Sequence, residues 1–157
     1  MKKLVVYYSL SGNTRAVAKR IARTLRADLM EIRTVKSYSD DYDVLLSLGQ
    51  KEIRSGYMPQ IEQLPFDANR YETIVLGTPV WWSSYAPAVK KFMAGVSWKG
   101  KKVYPFATHG GDLGHTPSDL RKAMRGAQVS PVLGIRFENG TQVTPAGDVK
   151  TWVTAIE

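Results

Sequence analysis

The chain has 157 residues, of which 43% are hydrophobic and 23% charged, and its formal net charge at pH 7 is +8. A chain of this length and composition buries enough surface for one core, so a single domain over residues 1–157 is expected. The sequence contains no cysteine. This excludes a disulfide framework, an iron–sulfur cluster, a thiolate zinc site and a cysteine nucleophile.

No segment has the pattern of a targeting or membrane-spanning sequence. The apolar run from Leu4 to Tyr8 is shorter than the roughly seven to fifteen residues of a secretory signal core. The uncharged residues 73–87 are interrupted by glycine, prolines and serines and fall short of the roughly 20 apolar residues that a bilayer requires. We therefore expect a cytoplasmic protein without a membrane span.

Apolar periodicity predicts strands that alternate with helices. The first strand is apolar on both faces, which is typical of the centre of a parallel sheet. In the first helix Val17, Ile21 and Leu25 recur at intervals of four, with basic residues on the remaining faces. The predicted strands are residues 2–9, 28–35, 71–77, 103–108 and 129–136. The predicted helices are residues 13–25, about 40–54, 87–94, one that Thr116 caps and Gly126 ends, and one that opens at 144.

Five strands alternating with five helices predict an α/β fold of three layers, a parallel sheet with helices on both faces. Right-handed crossovers and the chain length favour the strand order 2-1-3-4-5, with ligands at the carboxyl ends of strands 1 and 3. Pro105 and Pro131 fall inside the fourth and fifth strands, where each removes a ladder donor. The fifth strand can lie at the edge, whereas the fourth needs an unpaired stretch or a bulge.

The turn after the first strand combines hydroxyls, a glycine and the start of a helix. Backbone N–H groups, hydroxyls and the positive end of the helix dipole together favour a bound anion such as phosphate. A turn that only caps the helix is the plainer alternative. The chain has no Walker Gly-Lys-Ser/Thr and no Gly-x-Gly-x-x-Gly after this strand, which excludes both nucleotide motifs. The turn consists of Ser9, Leu10, Ser11, Gly12, Asn13 and Thr14.

This segment resembles the FMN-phosphate signature of the flavodoxin family. The resemblance rests on the strand that precedes the turn, on Ser9, Gly12 and Thr14, and on Ala18 and Ile21 in the helix. It implies a flavodoxin-like fold that holds FMN, with the phosphate bound by the six turn residues. Because the flavin itself performs the redox chemistry, we name no catalytic residue and no metal ligand.

Two further segments resemble the flavin-ring loops of flavodoxin-like proteins. A tryptophan suits a flat aromatic ring that must be partly desolvated. Adjacent residues point to different sides, so we expect one of the two tryptophans, Trp81 or Trp82, to stack on the flavin. The plainer alternative is that both are core or surface aromatics. The first segment is Thr78, Pro79, Val80, Trp81 and Trp82, and the second is Thr108, His109, Gly110 and Gly111.

The two histidines support different hypotheses. A cation at His109 would favour the reduced, anionic flavin. His109 and His115, six residues apart without a carboxylate partner, do not form a metal-ligand pattern.

Related proteins place a glycine after the tryptophan pair, where this chain has Ser83 and Ser84. That departure disfavours the peptide flip by which flavodoxins stabilise a one-electron-reduced flavin.

The resemblance implies an FMN-binding redox protein, and the short chain without an evident nicotinamide site favours an electron carrier. The alternative is an NAD(P)H-dependent quinone-type reductase, which the missing glycine favours. An alternative of a different class is a basic binding module without flavin. Basic residues concentrate in residues 1–35, with eight bases against two acids, and in residues 88–102, with five against none. The predicted topology puts these segments on opposite faces, which disfavours nucleic acid and favours an acidic redox partner.

Overall fold

A computed structural model describes residues 2–38 and 41–157. Its strands are β1 (Lys3–Tyr7), β2 (Asp28–Glu31), β3 (Thr73–Trp81), β4 (Ser84–Tyr85), β5 (Lys102–His109), β6 (Gln128–Val129), β7 (Leu133–Glu138) and β8 (Thr141–Gln142). The central sheet runs in the order β2-β1-β3-β5-β7 with all neighbouring strands parallel. This confirms the predicted order 2-1-3-4-5, since β5 is the predicted fourth strand and β7 belongs to the fifth.

The strand count differs from the predicted five because the fifth strand is split and two short antiparallel strands are added. The strands β6 and β7 both pair with β5, but residues 130–132 between them leave the ladder. Val103 accepts a hydrogen bond from Ser130 N, so Pro105, two residues later on the same side, faces the gap. Pro105 and Pro131 thus lie where no ladder donor is needed, which is the unpaired stretch that the fourth strand required.

In the described part of the chain, five α-helices cover the two faces of the sheet. They are α1 (Asn13–Leu25), α2 (Tyr42–Ser55), α3 (Pro87–Ala94), α4 (Thr116–Ala123) and α5 (Ala146–Thr154). The bounds of α1 and α3 agree with the prediction, while the predicted start of the second helix at 40 lies outside the described residues. The prediction that Thr116 caps α4 was wrong. The helix already begins at Thr116, and His115 occupies the cap position without a side-chain hydrogen bond.

The strand β1 shows why the sheet is buried on both sides. Leu4 and Val6 lie in the core cluster under α3 and α4, and Val5 and Tyr7 lie in the cluster under α1 and α5. All four side chains are buried. Alternate residues of a strand point to opposite faces, so an apolar side chain at every position fits a central parallel strand. The basic α1 and the basic segment 88–102, which begins inside α3, therefore belong to opposite faces, as predicted.

In its described residues, the segment between β2 and β3 has little regular structure apart from α2. The second strand is shorter than predicted and ends at Glu31, after which Thr34 forms an antiparallel bridge with Ile61. Asp41 caps α2 by accepting from the N–H groups of Asp43 and Val44. A single helical turn at Ala68–Arg70 then leads into β3. This segment lies beside the carboxyl ends of β1 and β3, where the predicted site lies.

Among the described residues, none of the helices combines the length and the apolar character needed to cross a membrane.

Candidate functional site

The turn after β1 leaves the N-terminus of α1 open. Gly12 occupies the N-cap position with φ of +102°, a conformation that residues with a Cβ rarely adopt. No side chain caps the helix. Within the turn, Gly12 N donates to Ser9 Oγ at 3.0 Å. The first amides of a helix have no intrahelical acceptor, so this turn presents N–H donors and a positive dipole end to an anion.

A buried hydrogen bond connects the start of α1 to β5, which lies two strands away from β1 in the sheet. The hydroxyls of Thr14 and Thr108 lie 2.8 Å apart, and both side chains are buried. In the sheet, Thr108 is in register with Pro79. The structure therefore brings the predicted phosphate turn, the end of β3 and the end of β5 together at one edge of the sheet. Leu10 is exposed at the same edge.

Sequence reasoning missed an ion pair beside the turn. Arg15 Nη2 lies 2.7 Å from Glu31 Oε2, and Tyr7 Oη donates to Glu31 Oε1 at 2.9 Å. Burial acts to raise the pKa of Glu31, but the bonds from Arg15 and Tyr7 outweigh it and lower that pKa. The pair fixes the Arg15 side chain at the first turn of α1. Glu31 lies at the carboxyl end of β2, next to β1 in the sheet. This position in the predicted sheet could have indicated that Glu31 lies near the turn.

The segment after Gly77 differs from the predicted loop, because β3 continues through Trp81. It folds back in a tight hairpin, with Val80 opposite Tyr85 in β4. The two turn residues, Trp82 and Ser83, have φ of 46° and 65°. A two-residue hairpin turn of type I′ has positive φ at both positions and favours glycine at the second. Ser83 therefore occupies the position at which such a turn favours glycine.

Thr78 is fully buried, and its hydroxyl is used within the protein. Thr78 Oγ1 donates to the Pro79 carbonyl at 2.9 Å and accepts from Ala86 N at 3.1 Å. These bonds hold the hairpin against the start of α3. The Thr78 side chain therefore stabilises the hairpin. The predicted contact of Thr78 with a ligand would have to be made by its backbone.

The structure places the two tryptophans under α2. Trp81 is 2% exposed, and its Nε1 donates to the Gly49 carbonyl at 3.3 Å. Its ring lies 5.1 Å from Tyr38 and 5.7 Å from Trp82. A Cβ added to Gly49 would lie 2.5 Å from Trp82 Cζ3. Trp81 is therefore a core residue that α2 covers, while Trp82 is only partly buried.

The loop after β5 has room around it and an unsatisfied polar atom. A Cβ added at Gly110 or Gly111 would meet nothing within 4 Å. His109 Nδ1 is buried without a hydrogen-bond partner among the described residues. Burial lowers the pKa of His109, and Arg136 acts in the same direction, whereas Asp112 acts to raise it. The lowered pKa disfavours the predicted cation at this position.

Two clefts adjoin the turn and α2. One has a volume of about 650 Å³ and is lined in part by Ser9, Ser11, Arg15 and Tyr38. The other has a volume of about 470 Å³ and lies between α2 and residues 35–38 and 57–60. In the described part of the chain, no three histidine or acidic side chains are grouped so that they could hold a metal ion.

Comparisons with known proteins agree with this geometry. The flavodoxin family model matches residues 2–156. A Bacteroides uniformis ATCC 8492 protein classed as a flavoprotein is 25% identical, with a TM-score of 0.83 and coverage of 98% of this chain and 97% of the other. A Lactobacillus acidophilus NCFM flavoprotein in complex with FMN is 24% identical, with a TM-score of 0.77 and coverage of 96% and 97%.

A more distant similarity concerns the fold alone. Oxidised flavodoxin 2 from Bacillus cereus is 21% identical, with a TM-score of 0.58 and coverage of 98% of this chain and 94% of the other. No curated protein matches the sequence.

Proposed function

This chain belongs to the flavodoxin family, and from that premise we propose that it binds FMN and carries single electrons between partner proteins. The observation that carries the proposal is the uncapped N-terminus of α1, which opens on Gly12 in a left-handed conformation. FMN supplies the redox chemistry when it is bound. The Lactobacillus acidophilus relative, which is in complex with FMN, supports this choice of cofactor.

The turn after β1 would bind the phosphate. The backbone amides at the start of α1 would donate to it, and the hydroxyls of Ser9 and Ser11 and the side chain of Asn13 would complete the cradle. The Thr14 hydroxyl already bonds to Thr108, so Thr14 would contribute its amide and hold the turn in place. No lysine is needed, since the amides and the helix dipole supply the positive potential.

The loops after β3 and β5 would hold the ring. We propose that Trp82 stacks on it, because Trp81 is already enclosed by Tyr38 and Gly49. Gly110 and Gly111 leave space for close approach of backbone to the flavin edge. The unpartnered His109 Nδ1 would find its hydrogen-bond partner there, since a buried polar atom without one is costly. Pro79 and Val80 would position the hairpin.

The contact between the two ring loops supports a carrier over a reductase. His115 N donates to the Ser83 carbonyl at 2.6 Å, and a Cβ on Gly114 would lie 2.6 Å from Ser83 Cβ. A reductase needs room for a second substrate over the flavin, and loops that touch restrict that room. A carrier needs only an exposed flavin edge and a surface on which a partner docks.

We propose that the partner is an acidic protein. The net charge of +8 attracts an acidic surface and speeds its encounter with this protein. The two basic segments lie on opposite faces of the sheet, which disfavours a continuous track for nucleic acid. The rate of electron transfer to such a partner should fall steeply as salt rises, and a rate independent of salt would contradict this assignment.

The experiment that tests the function is an anaerobic reductive titration of the protein supplied with FMN, followed by its visible spectrum. Two separate one-electron steps are expected for a carrier. One two-electron step, together with oxidation of NAD(P)H by a quinone, would identify the reductase instead. If the protein does not bind FMN, the flavin assignment fails. Measurable affinity for nucleic acid or an acidic protein would then indicate a basic binding module.

A further inference from the structure

A second cavity lies beside the phosphate turn and separate from it. Its volume is about 470 Å³, within the range of small-molecule sites. One wall is α2, and the other is the paired backbone in which Val35 N donates to the Gln60 carbonyl at 2.9 Å and Glu62 N to the Arg33 carbonyl at 2.8 Å. Ser37 and Tyr38 line both this cavity and the cleft at the phosphate turn. The two spaces are therefore neighbours that share one wall.

A buried carboxyl group lines this cavity. Glu52 is only 6% exposed, and its Oε1 accepts a hydrogen bond from Tyr38 Oη at 2.8 Å. No salt bridge between residues of the described part of the chain includes Glu52. Burial raises the pKa of Glu52, against the bond from Tyr38, which acts to lower it. A carboxylate accepts up to about four hydrogen bonds, so the group has capacity for a further donor.

Apolar side chains surround the cavity and are left exposed. Val35 is 60% exposed, Tyr57 48% and Leu48 37%, and all three line it. Exposed apolar groups clustered around a cavity gain free energy when a ligand covers them. Lys36 and Lys51 also line the cavity. Their charges favour a neutral or anionic ligand over a cationic one.

We propose that this cavity binds a small aromatic molecule that carries a hydroxyl group, with the hydroxyl donating to Glu52. The ring would lie among Val35, Leu48 and Tyr57. Tyr38, which bonds to Glu52, also packs on Trp81 at 5.1 Å, so the ligand would lie next to the region of the proposed flavin without occupying the phosphate turn. The inference goes beyond the proposed function, because the cavity and its carboxyl group do not depend on FMN.

The probe is 1-naphthol, and the matched compound is 1-methoxynaphthalene, which has the same rings without the donor. Each is titrated into the uniformly ¹⁵N-labelled protein, with and without FMN, and amide chemical shifts are followed. Saturable shifts are expected at residues 35–38 and 48–60 with 1-naphthol. The affinity for the methyl ether should be at least tenfold lower, because the hydrogen bond to the buried Glu52 carboxyl group is lost.

Three variants locate the binding. Leu48→Trp fills the cavity and should abolish saturable binding, whereas Leu46→Trp, on the same helix and outside the lining, should leave it unchanged. Glu52→Gln should reduce the affinity for 1-naphthol about tenfold. Equal binding by Leu48→Trp and wild type, or equal affinity for the two compounds, would overturn the proposal. Shifts confined to residues 9–14 would do the same, since the probe would then occupy the phosphate turn.

The affinity for FMN is measured on the same samples, which separates the two proposals. Normal FMN binding without naphthol binding would refute the cavity ligand and leave the flavin function standing. Naphthol binding with the expected variant pattern in a protein that does not bind FMN would leave the cavity site standing and refute the flavin function.

Discussion

The turns after β1 and β3 lie at the same edge of the sheet and differ in what they do with their polar groups. The turn after β1 ends on a helix that no side chain caps. The end of β3 and its hairpin with β4 use their polar groups within the protein: Thr78 bonds to Ala86, Trp81 to Gly49 and Ser84 to Asp119. The first turn is open to a ligand as it stands, while the second is closed by contacts with α2 and α4.

Substitution of the two tryptophans should give the largest change in stability. Trp81→Ala should lower the free energy of unfolding by about 3–5 kcal/mol, because it removes a buried aromatic side chain from the core. Trp82→Ala should cost less, since Trp82 is partly exposed. Urea unfolding followed by circular dichroism measures both.

The affinity of the same two variants for FMN tests the stacking proposal. Trp82→Ala should weaken FMN binding about three- to tenfold through the lost aromatic contact. If Trp82→Ala binds FMN as wild type does while folded Trp81→Ala does not, then Trp81 is the stacking residue and α2 moves when flavin binds.

The close packing of α2 on the hairpin gives the next effect. Gly49→Ala places a Cβ 2.5 Å from Trp82 Cζ3 and 2.9 Å from Trp81 Nε1. Overpacking of this kind should lower the free energy of unfolding by about 1–3 kcal/mol. Gly147→Ala in α5 is the control, because its Cβ would meet nothing within 4 Å. An unchanged stability of Gly49→Ala would show that α2 does not rest on the tryptophans.

The turn that we propose binds the phosphate depends on the backbone conformation of one glycine. Gly12→Ala should cost about 1–2 kcal/mol of stability, because φ at this position is +102° and left-handed backbone is strained with a Cβ. It should also weaken FMN binding, measured by fluorescence titration. Gly100 has φ of +80° and open space around it, far from the turn. Gly100→Ala should therefore lose similar stability and keep its FMN affinity. Equal FMN affinities in the two variants would contradict the proposal that the turn at Gly12 binds the phosphate.

The smallest effect is a pH dependence at His109. Its pKa is lowered in the folded state, so the unfolded chain binds the proton more readily and stability falls as pH decreases through about 6.5. His109→Gln should lose less stability than wild type between about pH 7 and 5. An NMR titration of the imidazole checks the cause directly, and a midpoint above 6.5 would refute it.

Local sequence was sufficient where a function depends on neighbouring residues. The strand, the turn and α1 are contiguous, and the apolar spacing of Val17 and Ile21 fixes which face of the helix is buried. The strand order followed from alternation and chirality rules. The break at Pro131 could be anticipated from the missing N–H, although its position required the partner strand to be known.

Tertiary structure decided the pairings between distant segments. Trp81 and Trp82 are adjacent in the sequence, and the contacts of Trp81 with Gly49 and Tyr38 make it the core residue of the two. The pairs Arg15–Glu31 and Tyr38–Glu52 likewise join different elements. Periodicity reports which face of an element is buried, but it does not report which partner covers that face. The sequence by itself therefore determined the sheet order and the conformation-bearing turn after β1, because these depend on local pattern and chain order. The packing of α2 decided how the hairpin after β3 and the second cavity are built, because it joins segments that are distant in the sequence.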